Sequence, residues 1–402
     1  MSGPLPPSVL LARLKSGDWL DSRRIRAYGL ILLVIEAAVL LFIAAGMHGL
    51  IVPLKVPPAT DFSSFYAAGR LAADGTPALA YDLAAHHLAQ QRIYGHPDVE
   101  YNFFFYPPVL LLLCAPLAAL PYLGAFAVWA LGQAVLFATA LRAILGRGAS
   151  LIPYLAFPAA PIAFAIGQNS LLTAALFGFA TAALDRRRPW LAGLAFGCLC
   201  YKPHFGLLIP VALVAGGYWR TAAAAAMTVA GLAGLVTLCF GIDIWPAYLH
   251  TFAGTAPGTF AGGRIPASGL VSPFAAALTL GAPPLLATVL QAAATLMAAT
   301  MVAIIWRRCR WMAPRAIALL AGTMVAVPVI LIYDLLPAAI CLAWLAVDAR
   351  RTGWLAWEKA FAVLAVAIAL SSRPLAMAAG LPLGPLVGLG LLALAWRRAK
   401  RG

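Results

Sequence analysis

The chain has 402 residues, of which 63% are hydrophobic and only 10% charged, with a formal net charge of +15. Its mean hydropathy of +0.91 excludes a water-soluble domain, which would carry about 25% charged residues. Apolar runs of about 20 residues, the length that crosses a bilayer as helix, recur from Leu30 to Trp396, and their continuity excludes the ten-residue alternation of an outer-membrane barrel.

The sequence therefore predicts an all-α polytopic membrane protein, a single integral domain over 1–402. The positive charge does not indicate nucleic acid. Its Lys and Arg residues form short clusters between apolar runs, the distribution that sets orientation in a membrane. Residues 1–26 hold Arg13, Lys15, Arg23, Arg24 and Arg26 without a small-residue cleavage site, and read as a cytoplasmic lead rather than a removed signal peptide.

From Ala27 to about Val52 the first span runs outward. It contains Glu36, and an ionisable group at that depth is expected to face the bundle interior and find a partner. The region 53–102 is too polar to cross a membrane and holds Asp61, Asp74, Asp82, Asp98 and Glu100 of the chain's 13 acidic residues. Thr60 is a good helix N-cap for the stretch opened by Asp61, and Asp74-Gly75 closes it with a turn signal. Tyr66 and Arg70, four apart, share a face of that helix. A second short amphipathic helix follows from Ala78 to Arg92, so 53–102 is expected to lie on the outer leaflet as surface helices.

The run after Pro107-Pro108 ends at Pro121, which suits a short or re-entrant helix better than a full span. A full span is expected over 122–145, then helices near 150–167 and 169–184 meeting at Gly167-Gln168-Asn169-Ser170. The run from Trp190 to Trp219 is broken by Tyr201-Lys202-Pro203-His204. A lysine and a proline in mid-span indicate half-helices beside a cavity. Beyond a span ending near Phe240, the Gly/Pro-rich stretch 241–273 is expected to be a second outer loop, its length favouring function over simple connection. Spans near 283–306, 315–332, 334–348, 355–371 and 382–396 precede a basic cytoplasmic tail at 397–402. The six cysteines fit small buried hydrophobes, with no metal-ligand spacing; His204 and His250 sit in separate segments and suggest no metal either.

Several short motifs in a fixed order carry a resemblance. They are Asp61-Phe62 with Phe65-Tyr66 and Gly69, Tyr81-Asp82, Tyr106-Pro107-Pro108, Gly167-Gln168-Asn169, Lys202-Pro203 and Tyr333-Asp334-Leu335. Together they resemble glycosyltransferase family 87, the polyprenol-phosphate-mannose-dependent mannosyltransferases. The resemblance implies a GT-C-type bundle of about 11–13 transmembrane or re-entrant helices in the cell (inner) membrane, with an extracytoplasmic active site. It implies inverting transfer of a hexose, by family default mannose, from a polyprenyl-phosphate donor to a glycolipid, glycan or other membrane-proximal hydroxyl. Asp61 matches the family's catalytic base. No cofactor is implied beyond the donor, acceptor and surrounding lipid.

The chemistry is consistent with that implication. An attacking hydroxyl must lose its proton, which one positioned carboxylate can take, and the departing phosphate needs a cation. Lys202, Arg264 and Arg70 are the candidates for the phosphate, Lys202 foremost because a membrane-embedded cation needs an anion. Tyr66, Gln168, Asn169, His204, Tyr333 and Asp334 are the candidates for substrate contacts. Each has a structural alternative: Asp61 can serve the helix dipole, Lys202 can snorkel, Gln168 and Asn169 can satisfy loose backbone ends, and Tyr333-Asp334 can steady the bundle. The competing class is a transporter, flippase or polymerase of lipid-linked glycans, which would use the same cations.

Overall fold

In hydrocarbon, backbone polar groups find partners only in one another, so these apolar runs form helices. The computed structural model describes residues 7–47, 50, 60–261 and 266–401. It is all-α: among the described residues β pairing is limited to one isolated bridge, between Leu270 and Leu331.

A short helix α1 (Pro7–Ser16) precedes α2 (Ser22–Ala45), whose N-cap Asp21 accepts a hydrogen bond from Arg24 N. The polar segment 60–102 supplies α3 (Asp61–Ala73), a 3-10 turn over Pro77–Tyr81 and α4 (Leu83–Tyr94), much as its turn signals indicate. A 3-10 turn over Pro108–Leu110 leads into α5 (Leu111–Leu117), the short helix expected there. Then come α6 (Tyr122–Leu145), α7 (Ile152–Leu155), α8 (Ala159–Ile166) and α9 (Ser170–Asp185). The run after Trp190 is indeed broken: α10 (Pro189–Cys198) and α11 (Ile209–Ala215) are separated by 3-10 turns at Leu199–Tyr201 and Pro203–Gly206. The remaining helices are α12 (Trp219–Phe240), α13 (Ile244–Ala261), α14 (Pro273–Thr279), α15 (Pro284–Arg308), α16 (Met312–Ala326), α17 (Pro337–Thr352), α18 (Glu358–Ala379) and α19 (Pro385–Ala399).

Among the described residues six helical stretches are long and apolar enough to span: α2, α6, α12, α15, Ile332–Thr352 (containing α17) and α18. Five shorter apolar stretches accompany them, at Pro108–Leu117, Ser170–Asp185, Pro189–Tyr201, Pro203–Ala215 and Met312–Ala326. The centre of the bundle is α16, buried along its whole length apart from the half-buried Arg315, with α15, α17 and α19 packed around it.

Two expectations are corrected. The stretch 241–273 is not simply a loop, because α13 occupies much of it. Glu36 has not found a partner: both its carboxylate oxygens are buried without a hydrogen bond. The reason lies in α2, which rests at the edge of the bundle on α7 and α8 and buries only Gly29.

Candidate active site

The site is assembled by the polar segment that begins at Thr60. α3 is apolar on nearly every side, and Phe62, Phe65, Ala67 and Ala68 are buried to 1% exposure or less. Gly69 sits so close to α5 that a Cβ there would collide with the Cys114 carbonyl. Tyr66 and Arg70 do share the face the sequence gives them. It points along α5: Tyr66 Oη donates to Leu120 O at 2.7 Å and Arg70 Nη1 to Ala118 O at 3.2 Å. These carbonyls lie just past the end of α5, where the helix cannot satisfy them itself. Arg70 also pairs with Asp74 at 3.3 Å in solvent. Both side chains therefore serve the seam between the two helices.

Thr60 occupies the N-cap position of α3 without a capping bond. Its hydroxyl instead meets Tyr122 Oη at 2.9 Å and Tyr94 Oη at 3.2 Å. Asp61, the first residue of the helix, is half-buried. Asn102 Nδ2 donates to its Oδ1 at 2.7 Å and Gln168 Nε2 donates to its Oδ2 at 2.7 Å, and the Tyr333 phenol lies near the same carboxylate. Desolvation pushes its pKa above the ordinary range, against the opposing effect of these polar neighbours.

Asn102 is itself held at two points. Gln90 Oε1 accepts from Asn102 N at 3.0 Å, and Gln90 Nε2 donates to Asn102 O at 2.5 Å. Beside Gln90, His86 is fully buried, with Nε2 at 3.0 Å from Ser64 O and Nδ1 at 3.2 Å from Tyr101 Oη. A carbonyl can only accept, so Nε2 carries the proton and Nδ1 accepts. Burial lowers the His86 pKa to about 4. Thus α4 fixes Asn102, and Asn102 orients Asp61.

The second half of the site is the α8–α9 junction. Gly167 closes α8 at φ +67°, and a Cβ there would lie 2.5 Å from Phe62 Cβ. Only glycine combines that conformation with that approach. Gln168 next to it bridges outward to Asp61, while its Oε1 accepts from Tyr106 Oη at 3.1 Å and from Asn169 N at 2.7 Å. Asn169 turns the other way, and its Oδ1 accepts from Lys202 Nζ at 3.2 Å. Lys202, held in the break between α10 and α11, pairs with Asp334 at 2.6 Å; both side chains are 4% exposed. Ser170 Oγ donates to the same Asp334 oxygen at 2.8 Å. The Asn169 Nδ2 amide is buried with no partner.

Six of the residues singled out in the sequence are thus brought together: Asp61, Gln168, Asn169, Lys202, Tyr333 and Asp334. Gln168 and Asn169 join the carboxylate of Asp61 to the ammonium of Lys202. Tyr66 and Arg70 lie away from this cluster, on the α5 seam. His204 is exposed, with its ring against Phe205, and Arg264 lies outside the described residues. Among the described residues no cluster of His, Cys, Asp or Glu could hold a metal ion. Sequence reasoning passed over Asn102 and Gln90, and it quoted Tyr106 and Ser170 in motifs without making them candidate site residues. A polar side chain in a segment bounded by aromatics was the only signal for Asn102, and nothing local marked its tie to Gln90.

The arrangement offers a carboxylate with raised proton affinity at one end and a buried cation with an unpartnered amide at the other. The curated proteins and the solved structures compared with the chain contain no match. The family model for glycosyltransferase family 87 matches residues 104–332, a range that includes Gln168, Asn169 and Lys202 and stops just short of Tyr333 and Asp334. That match covers more than half of the sequence, and the chain belongs to glycosyltransferase family 87.

Proposed function

We propose that this membrane glycosyltransferase moves a hexose, mannose by the family's default, from a polyprenyl phosphate to a lipid-linked or membrane-proximal hydroxyl on the extracytoplasmic side, with inversion. The observation that carries the reading is the Gln168-Asn169 bridge, which fixes the Asp61 carboxylate and the Lys202 ammonium in one continuous network.

In this reading the acceptor oxygen attacks the anomeric carbon and its proton passes to Asp61. The bond from that carbon to the phosphate oxygen breaks, and its electron pair leaves with the lipid phosphate. Burial makes Asp61 a stronger base than a solvated aspartate, and the Asn102 and Gln168 amides hold its oxygens in a fixed orientation. Lys202 gives one proton donor to Asp334 and one to Asn169. An ammonium has three, and for the third a phosphate oxygen would compete with the Phe205 ring, whose centre lies 4.7 Å from Nζ. The unpartnered Asn169 amide and the N-terminal end of α9 add two further attractions for an anion. Asp334 keeps Lys202 in place between turnovers, because an unpaired ammonium at this depth would be costly.

The test is to incubate the purified protein with polyprenyl-phosphate sugars and a hydroxyl acceptor, following the lipids by mass spectrometry. Release of polyprenyl phosphate in step with glycosylated acceptor supports transfer. Movement of intact donor across a vesicle membrane, with the sugar–phosphate bond unbroken, would indicate a flippase instead.

A further inference from the structure

A cavity of about 630 Å³ lies away from Asp61. It is enclosed by the start of α2, the α6–α7 connection, α17 and α18. Its distance from the active-site candidate follows from the helices that reach both. α17 starts three residues after Asp334 and lines the cavity from Leu342 to Arg350, about 8 to 20 Å along the helix at 1.5 Å per residue. α6 begins at Tyr122, whose ring packs on Phe62, and reaches the cavity at Leu145 after about 36 Å. The two sites thus face opposite leaflets.

The walls are mostly apolar, and Tyr28, Tyr154 and Trp354 stand among them, the residue types that favour a headgroup boundary. Arg26 and Arg350 contribute two guanidinium groups, and no acidic side chain lines the space. Arg350 is anchored by donation from Nη1 to Leu145 O at 2.9 Å. Arg26 has no hydrogen-bond or ion-pair partner among the described residues. The opening depends on Gly29, where α2 closes on α7: a Cβ there would lie 3.1 Å from Ile152 Cγ2. Its size falls within the range of small-molecule sites, roughly 300–1,000 Å³.

We infer that this cavity binds an anionic phospholipid of the leaflet opposite the active-site candidate. The arginines take the phosphate headgroup, and the apolar walls between α2, α17 and α18 take the upper acyl chains. Such basic pockets between spanning helices select anionic over zwitterionic lipid, and an occupant here would tie the loosely packed α2 to the bundle.

The test is native mass spectrometry of the full chain in detergent with phosphatidylglycerol or phosphatidylethanolamine of identical acyl chains. Phosphatidylglycerol is expected to be retained about tenfold more tightly. Arg26→Gln should weaken that retention about fivefold and Arg26→Gln/Arg350→Gln should abolish the preference. Ala346→Phe, which fills the wall and leaves both arginines, should reduce retention of either lipid. Should Arg350→Gln disturb the fold through its lost bond to Leu145, the single Arg26→Gln variant still decides. Equal retention of the two lipids, or unchanged retention in both Arg26→Gln and Ala346→Phe, would overturn the proposal. Displacement of the lipid by millimolar inorganic phosphate would overturn it as well, assigning the arginines to a soluble anion.

Discussion

Two buried charge clusters sit at opposite ends of this bundle, and they differ in how completely their hydrogen bonds are used. Arg398 commits all five of its N–H donors: to Glu358 Oε1 at 2.7 Å and Oε2 at 2.5 Å, Asp348 Oδ2 at 2.7 Å, Thr352 Oγ1 at 2.7 Å and Gly353 O at 3.0 Å. Nothing remains for a ligand, and the cluster ties α19 to α17 and α18. The Lys202 cluster is equally buried yet incomplete, with an orphaned Asn169 amide and an ammonium that makes two hydrogen bonds and otherwise meets only the Phe205 ring. A saturated network specifies packing, whereas an open one invites a substrate.

The largest effects should come from removing the cation of each cluster. Arg398→Met and Lys202→Met both strand buried carboxylates, and each should cost about 3–5 kcal/mol of stability, read as a fall in melting temperature. The two should part company in function. Folded Arg398→Met should transfer sugar at the native rate per molecule, while Lys202→Met should need far more donor for half-maximal rate with little change in acceptor requirement. Adding Asp334→Asn to Lys202→Met should restore the melting temperature without restoring transfer. Equal donor requirements in the two single variants would erase the distinction.

A smaller effect tests the scaffold behind Asp61. His86 is held neutral, so its folded pKa of about 4 lies below the unfolded value of about 6.5. Its contribution is intact above about pH 6.5. It is lost as pH falls toward 4, where the unfolded segment takes a proton the folded one refuses. The segment around α3 and α4 should therefore lose up to about 3 kcal/mol of stability across that window, measurable as faster proteolysis at low pH. His86→Gln should flatten the dependence. Smaller still, Gln90→Leu should lower kcat by about tenfold to a hundredfold, roughly 1.4–2.7 kcal/mol, with the donor KM unchanged. Asn102 would then no longer hold Asp61 in register. A rise in donor KM instead would make Gln90 part of the binding surface.

Much of this was legible in the sequence, for physical reasons. Long apolar runs have one solution in a membrane, so α2, α6, α12, α15 and α18 lie where composition puts them. Lys202-Pro203 in mid-run forces a break, and Gly167 forces a sharp helix end. Where the reading failed, the deciding contacts were distant or the local signal misled. Gly254, Pro257 and Gly258 suggest a loop, yet α13 runs through them. Tyr66 and Arg70 were correctly put on one face of α3, but the sequence does not say that this face meets the carbonyls after α5. The partner of Lys202 lies 132 residues away and that of Asp61 at Gln168 lies 107 residues away, separations at which local patterns carry no information.

The proposed transfer requires Asp61 as its base. Asp61→Asn keeps the size of the side chain and removes its proton affinity, so the measurement is sugar transfer by this variant, purified and shown to be folded by its melting curve. A fall of about 10²–10⁴-fold is expected, with donor binding retained. Transfer within a few-fold of the native rate would contradict it.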